Sequence, residues 1–282
     1  MLKKCQVNEF YFAFSLIANP LLELFFNFLL KNHKIRTICV IISLIKRWGD
    51  NMAKLPIAKN DFKGIRIACV GDSLTYGTTL LKRKRDCYPS RLQRILGEDY
   101  DVLNMGFAGH TVNPYCDKYW AKEDVVNLLE EYRPDYIIFM LGTNDSREHN
   151  WTDAKTFEKE YKRLINFFKS FSNKPCIIAM TCPQVFWDKK LLDINLDILS
   201  QIVDIQRKVL SENKIPCLDI YKLTKNREDL YSPDLVHFNP KGAKFVAFNV
   251  YYKIIEDVRA KNKKYKDRLH SPKCKKNYLP LD

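Results

Sequence analysis

Short apolar runs alternate with longer amphipathic stretches along the chain from residue 64 onward. Five of these runs are rich in aliphatic residues and contain few polar ones; they cover residues 65–71, 100–106, 135–142, 176–181 and 216–221. Runs of this kind are typical of strands that helices cover on both faces, whereas strands with one solvent-exposed face alternate apolar and polar residues. The pattern therefore predicts five strands of a buried parallel sheet.

The amphipathic stretches between the runs predict helices. They cover residues 88–97, 122–133, 153–171, 195–213 and 240–258. Asn239 followed by Pro240 is a favourable start for the last helix, because Asn caps a helix N-terminus well and Pro fits its first turn. Strands that alternate with helices indicate β-α units on one parallel sheet, so we predict the α/β class.

Residues 1–54 depart from this rhythm and contain two apolar runs, at 10–30 and 35–45. The first run approaches the length of a membrane span, but Asn, Pro and Glu residues interrupt it. Three interpretations stay open: a membrane anchor, a signal or unusual helical cap, or an upstream segment that is not made because translation starts at Met52. We expect the folded domain at residues 55–258.

The formal net charge of +14 lies mainly at the two ends of the chain. Residues 1–54 carry a net +5 and residues 259–282 a net +7, which leaves only +2 for residues 55–258. A nearly neutral domain is a poor match for the phosphate backbone, so we expect no nucleic-acid partner. The basic tail at 259–282 is poor in aliphatic residues, which predicts disorder. Membrane association is expected only through residues 10–45.

The chain has nine cysteines, and none of them form a C-x-x-C pair or a metal-binding spacing with histidine. An odd number without framework spacing favours free thiols in a reducing compartment over a secreted disulfide scaffold. We therefore expect a cytoplasmic protein, with a membrane-anchored form as the alternative.

Polar residues and one glycine follow four of the predicted strands. Ser73 follows the first strand, Gly109 the second, Asn144 with Asp145 the third, and Asp234 with His237 the fifth. Ligands of an open parallel sheet bind at the carboxyl ends of its strands, where the connecting loops gather. We therefore expect these residues to meet at one edge of the sheet.

Their residue types suit nucleophilic attack on an ester. A serine hydroxyl such as that of Ser73 needs a base to accept its proton, and histidine is the usual base at neutral pH. Asp234 precedes His237 by three positions, a spacing that can bring a carboxylate beside the imidazole. The backbone N–H groups of Ser73 and Gly109 and the side-chain amide of Asn144 are candidate donors to the oxyanion that forms during attack.

Four sequence blocks carry a resemblance to a known family. They are GDSL at 71–74, NMGFAG at 104–109, GTND at 142–145 and DLVH at 234–237. In order and spacing they resemble the GDSL or SGNH hydrolases, and the resemblance covers residues 64–258. It implies the SGNH hydrolase fold, a flavodoxin-like three-layer α/β/α sandwich around a five-stranded parallel sheet.

The resemblance also implies a role for each matched residue: Ser73 as the nucleophile, His237 as its base, Asp234 as the orienting carboxylate, and Ser73, Gly109 and Asn144 as oxyanion donors. Each residue alone has a structural interpretation too. Ser73 is a good helix cap, and the others suit turns. The four blocks together favour catalysis.

Four further residues are predicted to line a substrate pocket: Asp72, His110, Trp151 and Trp187. His110 stands where members of the family often carry Asp or another small polar residue. The cationic stretch LKRKRD at 81–86 has two open interpretations, a patch that attracts an anionic substrate or a solvated loop.

The resemblance is strongest to small bacterial esterases that remove O-acetyl groups from carbohydrates. It implies a serine esterase for short-chain acyl esters on a small molecule or an acylated carbohydrate, with no metal or organic cofactor. The alternatives are a lysophospholipase or thioesterase of the same family and an inactive membrane-surface binding module. The sequence contains no Gly-rich phosphate loop after the first strand that would indicate a nucleotide-binding domain.

Overall fold

The computed structural model describes residues 62–116, 118–186 and 193–261. The predictions for residues 1–54 lie outside this range. The last helix continues to Lys261, past its predicted end at residue 258. Residues 259–261 are therefore helical rather than part of a disordered tail, and the rest of the predicted tail lies outside the described residues.

A five-stranded sheet forms the centre of the domain, and its strands are all parallel. In chain order the strands are β1 (Ile65–Gly71), β2 (Tyr100–Gly106), β3 (Tyr136–Met140), β4 (Cys176–Met180) and β5 (Cys217–Leu218). Their order across the sheet is β2-β1-β3-β4-β5. The chain thus adds β2 on one side of β1 and β3 on the other, so the carboxyl end of β1 is a topological switch point.

The register of the strands brings three carboxyl ends to one level. Gly71, the last residue of β1, is paired with Gly106 at the end of β2 and with Met140 at the end of β3. The loops that follow these three strands consequently leave the sheet side by side.

Helices connect the strands and cover the sheet. In chain order they are α1 (Ser73–Tyr76), α2 (Arg83–Asp86), α3 (Tyr88–Leu96), α4 (Glu123–Tyr132), α5 (Ala154–Ser170), α6 (Leu196–Glu212), α7 (Ile220–Leu223) and α8 (Pro240–Lys261). Short 3₁₀ turns occupy Asn144–Ser146 and Glu228–Leu230. None of the helices in the described ranges is long and apolar enough to cross a membrane.

The two faces of the sheet bury separate cores, because successive side chains of a strand point to opposite faces. On β1, Ala68 and Val70 join the core that α4, α5 and α6 cover. Ile67 and Cys69, which alternate with them, join the core beneath α3 and α8. The layers are helix, sheet and helix, which confirms the predicted α/β sandwich.

Two sequence predictions need correction. The fifth strand was expected at 216–221, but β5 contains only Cys217 and Leu218. Asp219 ends it, since its carboxylate caps α7 by accepting a hydrogen bond from the Lys222 N–H at 3.1 Å. The cationic stretch at 81–86 is not wholly a loop, because Arg83–Asp86 forms the single helical turn α2.

Candidate active site

A tight turn presents Ser73 at the carboxyl end of β1. Asp72 caps the one-turn helix α1, and its Oδ1 accepts the Leu74 N–H at 2.9 Å. Ser73 is the first residue of this helix and is half-buried. The turn lies against the end of β2, where a methyl group on Gly106 would overlap the backbone of Tyr76. Only glycine allows this close approach.

A second compact loop presents His237. A bridge between Tyr231 and Phe238 closes the loop. Within it, Asp234 Oδ1 accepts hydrogen bonds from the N–H groups of Val236 and His237 at 3.1 and 2.9 Å. One oxygen of Asp234 thus fixes the backbone that carries the imidazole, and its other oxygen contacts the imidazole ring.

Asn239 caps α8, as the sequence predicted, and it also anchors this loop. The Asn239 Oδ1 accepts the Gly242 N–H at 2.9 Å, and the Asn239 Nδ2 donates to the carbonyl of Tyr231 at 2.8 Å. One side chain therefore caps the helix and holds the base of the His237 loop.

The structure brings the three predicted catalytic side chains into one hydrogen-bonded chain. His237 Nε2 lies 2.9 Å from Ser73 Oγ, and His237 Nδ1 lies 2.6 Å from Asp234 Oδ2. An ionised carboxylate can only accept, so Nδ1 carries the proton and leaves Nε2 of a neutral ring to accept from the serine. This tautomer is the one a general base for Ser73 requires.

The charge on Asp234 is stabilised despite partial burial. Burial raises the pKa of this carboxyl, but the hydrogen bonds from His237 and Val236 outweigh that effect and leave the pKa below its ordinary value. Asp234 is consequently ionised at neutral pH, where it can hold the His237 ring in place and stabilise its protonated form.

The candidate oxyanion donors come from three neighbouring loops. Gly109 has a φ of +82°, a conformation that favours glycine, and its loop is tied to β1 by the Phe107 N–H, which donates to the Gly71 carbonyl at 2.9 Å. The Asn144 side chain is buried, and its Nδ2 donates to the His110 carbonyl at 3.0 Å. This bond uses one amide hydrogen and leaves a second for an oxyanion.

Asp145 supports this region in a way that the sequence did not reveal. Its buried carboxylate accepts the N–H groups of Val112 and Asn113 at distances of 2.9 to 3.0 Å. Burial raises the pKa of Asp145 to about 6 in spite of these bonds. Asp145 thus fastens the segment after Gly109 to the loop that carries Asn144. Its position directly after Asn144 at a strand end was the available signal.

The four predicted pocket residues have different positions. Asp72 is completely buried, so it lies behind the serine turn and does not line a pocket. His110 is half-buried beside the Phe107 ring, at a centroid distance of 5.3 Å. Trp151 packs against the hydrophobic core and the Phe157 ring. Trp187 lies outside the described residues.

Asp72 is a buried acid, and its second oxygen, Oδ2, has no hydrogen-bond partner among the described residues. Burial raises the pKa of Asp72 to about 7, and the nearby Asp145 carboxyl adds to this effect. The native protein therefore holds a proton on Asp72 at pH values where the unfolded chain has released it. Stability that this proton contributes at low pH is lost as the pH rises from about 4 to 7.

We expect Asp72→Asn to remove this pH dependence, because the amide keeps the Oδ1 cap and carries no charge. The free energy of unfolding of the variant, relative to wild type, should rise by up to about 4 kcal/mol between pH 4 and pH 8. Urea unfolding across this pH range measures the difference. Parallel curves for the two proteins would show that Asp72 holds no proton.

Among the described residues, no three His, Cys, Asp or Glu side chains lie close enough together to bind a metal ion. The groups gathered at the carboxyl edge are a nucleophile, a base with its carboxylate, and hydrogen-bond donors. This set can form and break an acyl-serine bond without any further group.

Comparison with known proteins places these residues in a wider context. Residues 69–245 match the model of the GDSL-like lipase/acylhydrolase family. The acetylxylan esterase of Xylanibacter ruminicola is 28% identical over 220 residues, which cover 72% of this chain and 45% of that protein. The chain thus spans less than half the length of this curated relative.

Solved structures of similar fold include a carbohydrate acetylesterase family member from Sinorhizobium meliloti, with 22% identity and a TM-score of 0.57 over 68% of this chain and 98% of that one. The aryl esterase of M. smegmatis has 18% identity and a TM-score of 0.56 over 68% of this chain and 99% of its own. These likenesses establish the fold.

Proposed function

The chain belongs to the GDSL-like lipase/acylhydrolase family, and from this membership we propose that it is a serine esterase that removes short acyl groups, chiefly O-acetyl groups of carbohydrates. The observation that carries the proposal is the hydrogen-bonded chain from Ser73 through His237 to Asp234. It supplies a nucleophile, a base in the right tautomer and a charge that stabilises the protonated base.

The first half-reaction forms an acyl-enzyme. Ser73 Oγ attacks the ester carbonyl carbon while His237 Nε2 takes the hydroxyl proton. The oxyanion that forms accepts hydrogen bonds from the backbone N–H groups of Ser73 and Gly109 and from the Asn144 amide. When the intermediate collapses, the carbon–oxygen bond to the alcohol breaks, and His237 gives its proton to the departing alcohol.

The second half-reaction repeats these steps with water. His237 removes a proton from a water molecule that attacks the acyl carbon, and the same donors stabilise the second oxyanion. Collapse releases the carboxylic acid and returns the proton to Ser73 Oγ. Throughout both halves Asp234 keeps the imidazole oriented and balances its positive charge.

The preference for acetyl groups on sugars is the finer part of the proposal. It is supported by the relative that is named an acetylxylan esterase and by the structural likeness to a carbohydrate acetylesterase family member. The sequence between residues 64 and 258 also contains no long apolar lid segment that would cover a long acyl chain.

A series of p-nitrophenyl esters tests the acyl preference. With the full chain, we expect kcat/KM to be highest for acetate and at least about tenfold lower for octanoate, because residues 64–258 offer no long apolar lid segment to bind the added methylenes. Release of acetate from acetylated xylo-oligosaccharides is the second measurement. A preference for octanoate would instead favour a lysophospholipase or thioesterase. No hydrolysis of any ester, with no phosphonate labelling of Ser73, would favour the inactive binding module.

A further inference from the structure

The cationic stretch at 81–86 lies beside the candidate active site and is held there at both ends. Two residues before its start, Thr79 Oγ1 lies 2.8 Å from the hydroxyl of Ser232, which belongs to the loop that carries His237. At its end, the buried Asp86 carboxylate accepts a hydrogen bond from Arg91 Nη2 at 2.9 Å. The stretch therefore has a fixed position relative to Ser73.

Within this stretch, Arg83 is stacked on Tyr76. The centre of its guanidinium group lies 4.0 Å from the centroid of the tyrosine ring. Tyr76 follows Ser73 by three positions on α1, and residues three apart share one face of a helix. Arg83 is therefore stacked on the side chain that lies one helical turn after Ser73.

Arg83 has no carboxylate or other hydrogen-bond acceptor among the described residues, whereas Arg85 in the same helical turn is paired with Asp86 at 2.8 Å. A guanidinium group stacked on an aromatic ring keeps its N–H groups at the edge, in the plane that a carboxylate approaches. Arg83 is half-buried, whereas Lys82 and Lys84 are exposed. It is thus a cation held by an aromatic ring and without an acidic partner among the described residues.

A second cation lies beside the oxyanion glycine. The Lys118 Nζ is 3.2 Å from the position that a Cβ atom on Gly109 would take, so this ammonium group covers the oxyanion glycine. Burial lowers the pKa of His110, and the positive charges of Lys122 and Lys118 lower it further. The domain at residues 55–258 as a whole is nearly neutral, with a net charge of only +2.

We propose that Arg83, held on Tyr76, binds a carboxylate of the substrate, and that the preferred substrates are acetyl esters of acidic saccharides. The proposal rests on the esterase function of Ser73. A carboxylate on the acetylated sugar or its neighbour reaches Arg83 while the acetyl group lies at Ser73. Arg83 would bind its two oxygens through parallel hydrogen bonds, which a neutral sugar cannot offer.

The test compares an acetylated galacturonate tetrasaccharide with its carboxyl-reduced counterpart, acetylated to the same degree. The two differ in the carboxylate alone. With wild type we expect kcat/KM to be about tenfold higher for the acidic form, and this ratio should fall in 0.5 M salt. Arg83→Gln should bring the ratio to within about twofold of one. Using the ratio removes any general effect of the substitution on catalysis.

Lys84→Gln is the matched control, because it removes the same charge from the same helical turn. We expect it to keep the wild-type ratio and the wild-type hydrolysis of p-nitrophenyl acetate. If both variants lower the ratio equally, the preference comes from the summed positive charge of the region, and the specific role of Arg83 is overturned. If a tetrasaccharide is not hydrolysed, the ratio is taken instead from how strongly the acidic and the reduced form inhibit hydrolysis of p-nitrophenyl acetate.

The outcomes separate this proposal from the proposed function. A wild-type ratio near one, with p-nitrophenyl acetate still hydrolysed, overturns the carboxylate site and leaves the esterase standing. Absence of all hydrolysis counts against the esterase. Calorimetric binding of the two tetrasaccharides to wild type and Arg83→Gln then decides whether Arg83 recognises the carboxylate.

Discussion

Ser73→Ala is expected to lower kcat for p-nitrophenyl acetate by about 10⁴- to 10⁶-fold, because it removes the atom that forms the acyl-enzyme. The fold should persist, since backbone and Asp72 contacts hold the turn. The Gly77 N–H donates to the Ser73 carbonyl at 2.9 Å, and Asp72 caps the Leu74 N–H. Neither contact uses the serine hydroxyl.

Single-turnover hydrolysis and circular dichroism of the two proteins check this result. Ser90→Ala is the matched control, because the Ser90 hydroxyl lies on α3 and contacts Cys87 Sγ at 3.1 Å. We expect the control to keep activity within about twofold of wild type, as is usual for substitutions away from a site. A Ser73→Ala protein that keeps more than a hundredth of the wild-type activity would rule out Ser73 as the nucleophile.

Asp234→Asn is expected to lower kcat by about 10³- to 10⁴-fold at neutral pH. The Asn amide can still accept from the backbone N–H groups, so the loop should keep its shape. Its amide hydrogens, however, favour the other tautomer of His237, in which Nε2 carries the proton and cannot accept one from Ser73. The loss should therefore fall on kcat, with little change in KM.

Asp229→Asn is the control for removing a carboxylate from this region. The Asp229 side chain is paired with Arg227 and Lys241 at 2.8 and 2.7 Å and takes no part in the chain to Ser73. Wild-type kinetics for this variant, beside the loss in Asp234→Asn, would establish the role of the Asp234 carboxylate. Equal kinetics for both variants would contradict it.

The sequence was sufficient for the elements whose pattern is unambiguous. The apolar run at 65–71 is β1 with the predicted bounds, and the strands that follow it are parallel as expected. The blocks around Ser73, Gly109 and Asn144 meet at one sheet edge because β1, β2 and β3 end in register, and a hydrogen bond brings the His237 block to Ser73. The roles of these residues in catalysis stay predictions until the variants are measured.

Other features depend on contacts that a linear pattern does not encode. The run at 216–221 is apolar enough for a strand, but Asp219 in its middle caps a helix that begins at Ile220, so the strand ends at Leu218. Asp72 was predicted to line a pocket but is completely buried. Its burial depends on the residues that pack over it, which the local sequence does not show. The stacking of Arg83 on Tyr76 joins the helical turns α1 and α2, and α1 ends at Gly77 with a left-handed cap.

The distance along the chain between Ser73 and His237, 164 positions, also governs how the protein acquires its activity. Parallel strands pair only after long connections have closed, so topologies of this type have high contact order and fold slowly. During synthesis Ser73 is translated long before His237, its proposed base. We therefore expect esterase activity to appear later in refolding than helical content, because activity needs this long-range contact and helices need only local ones.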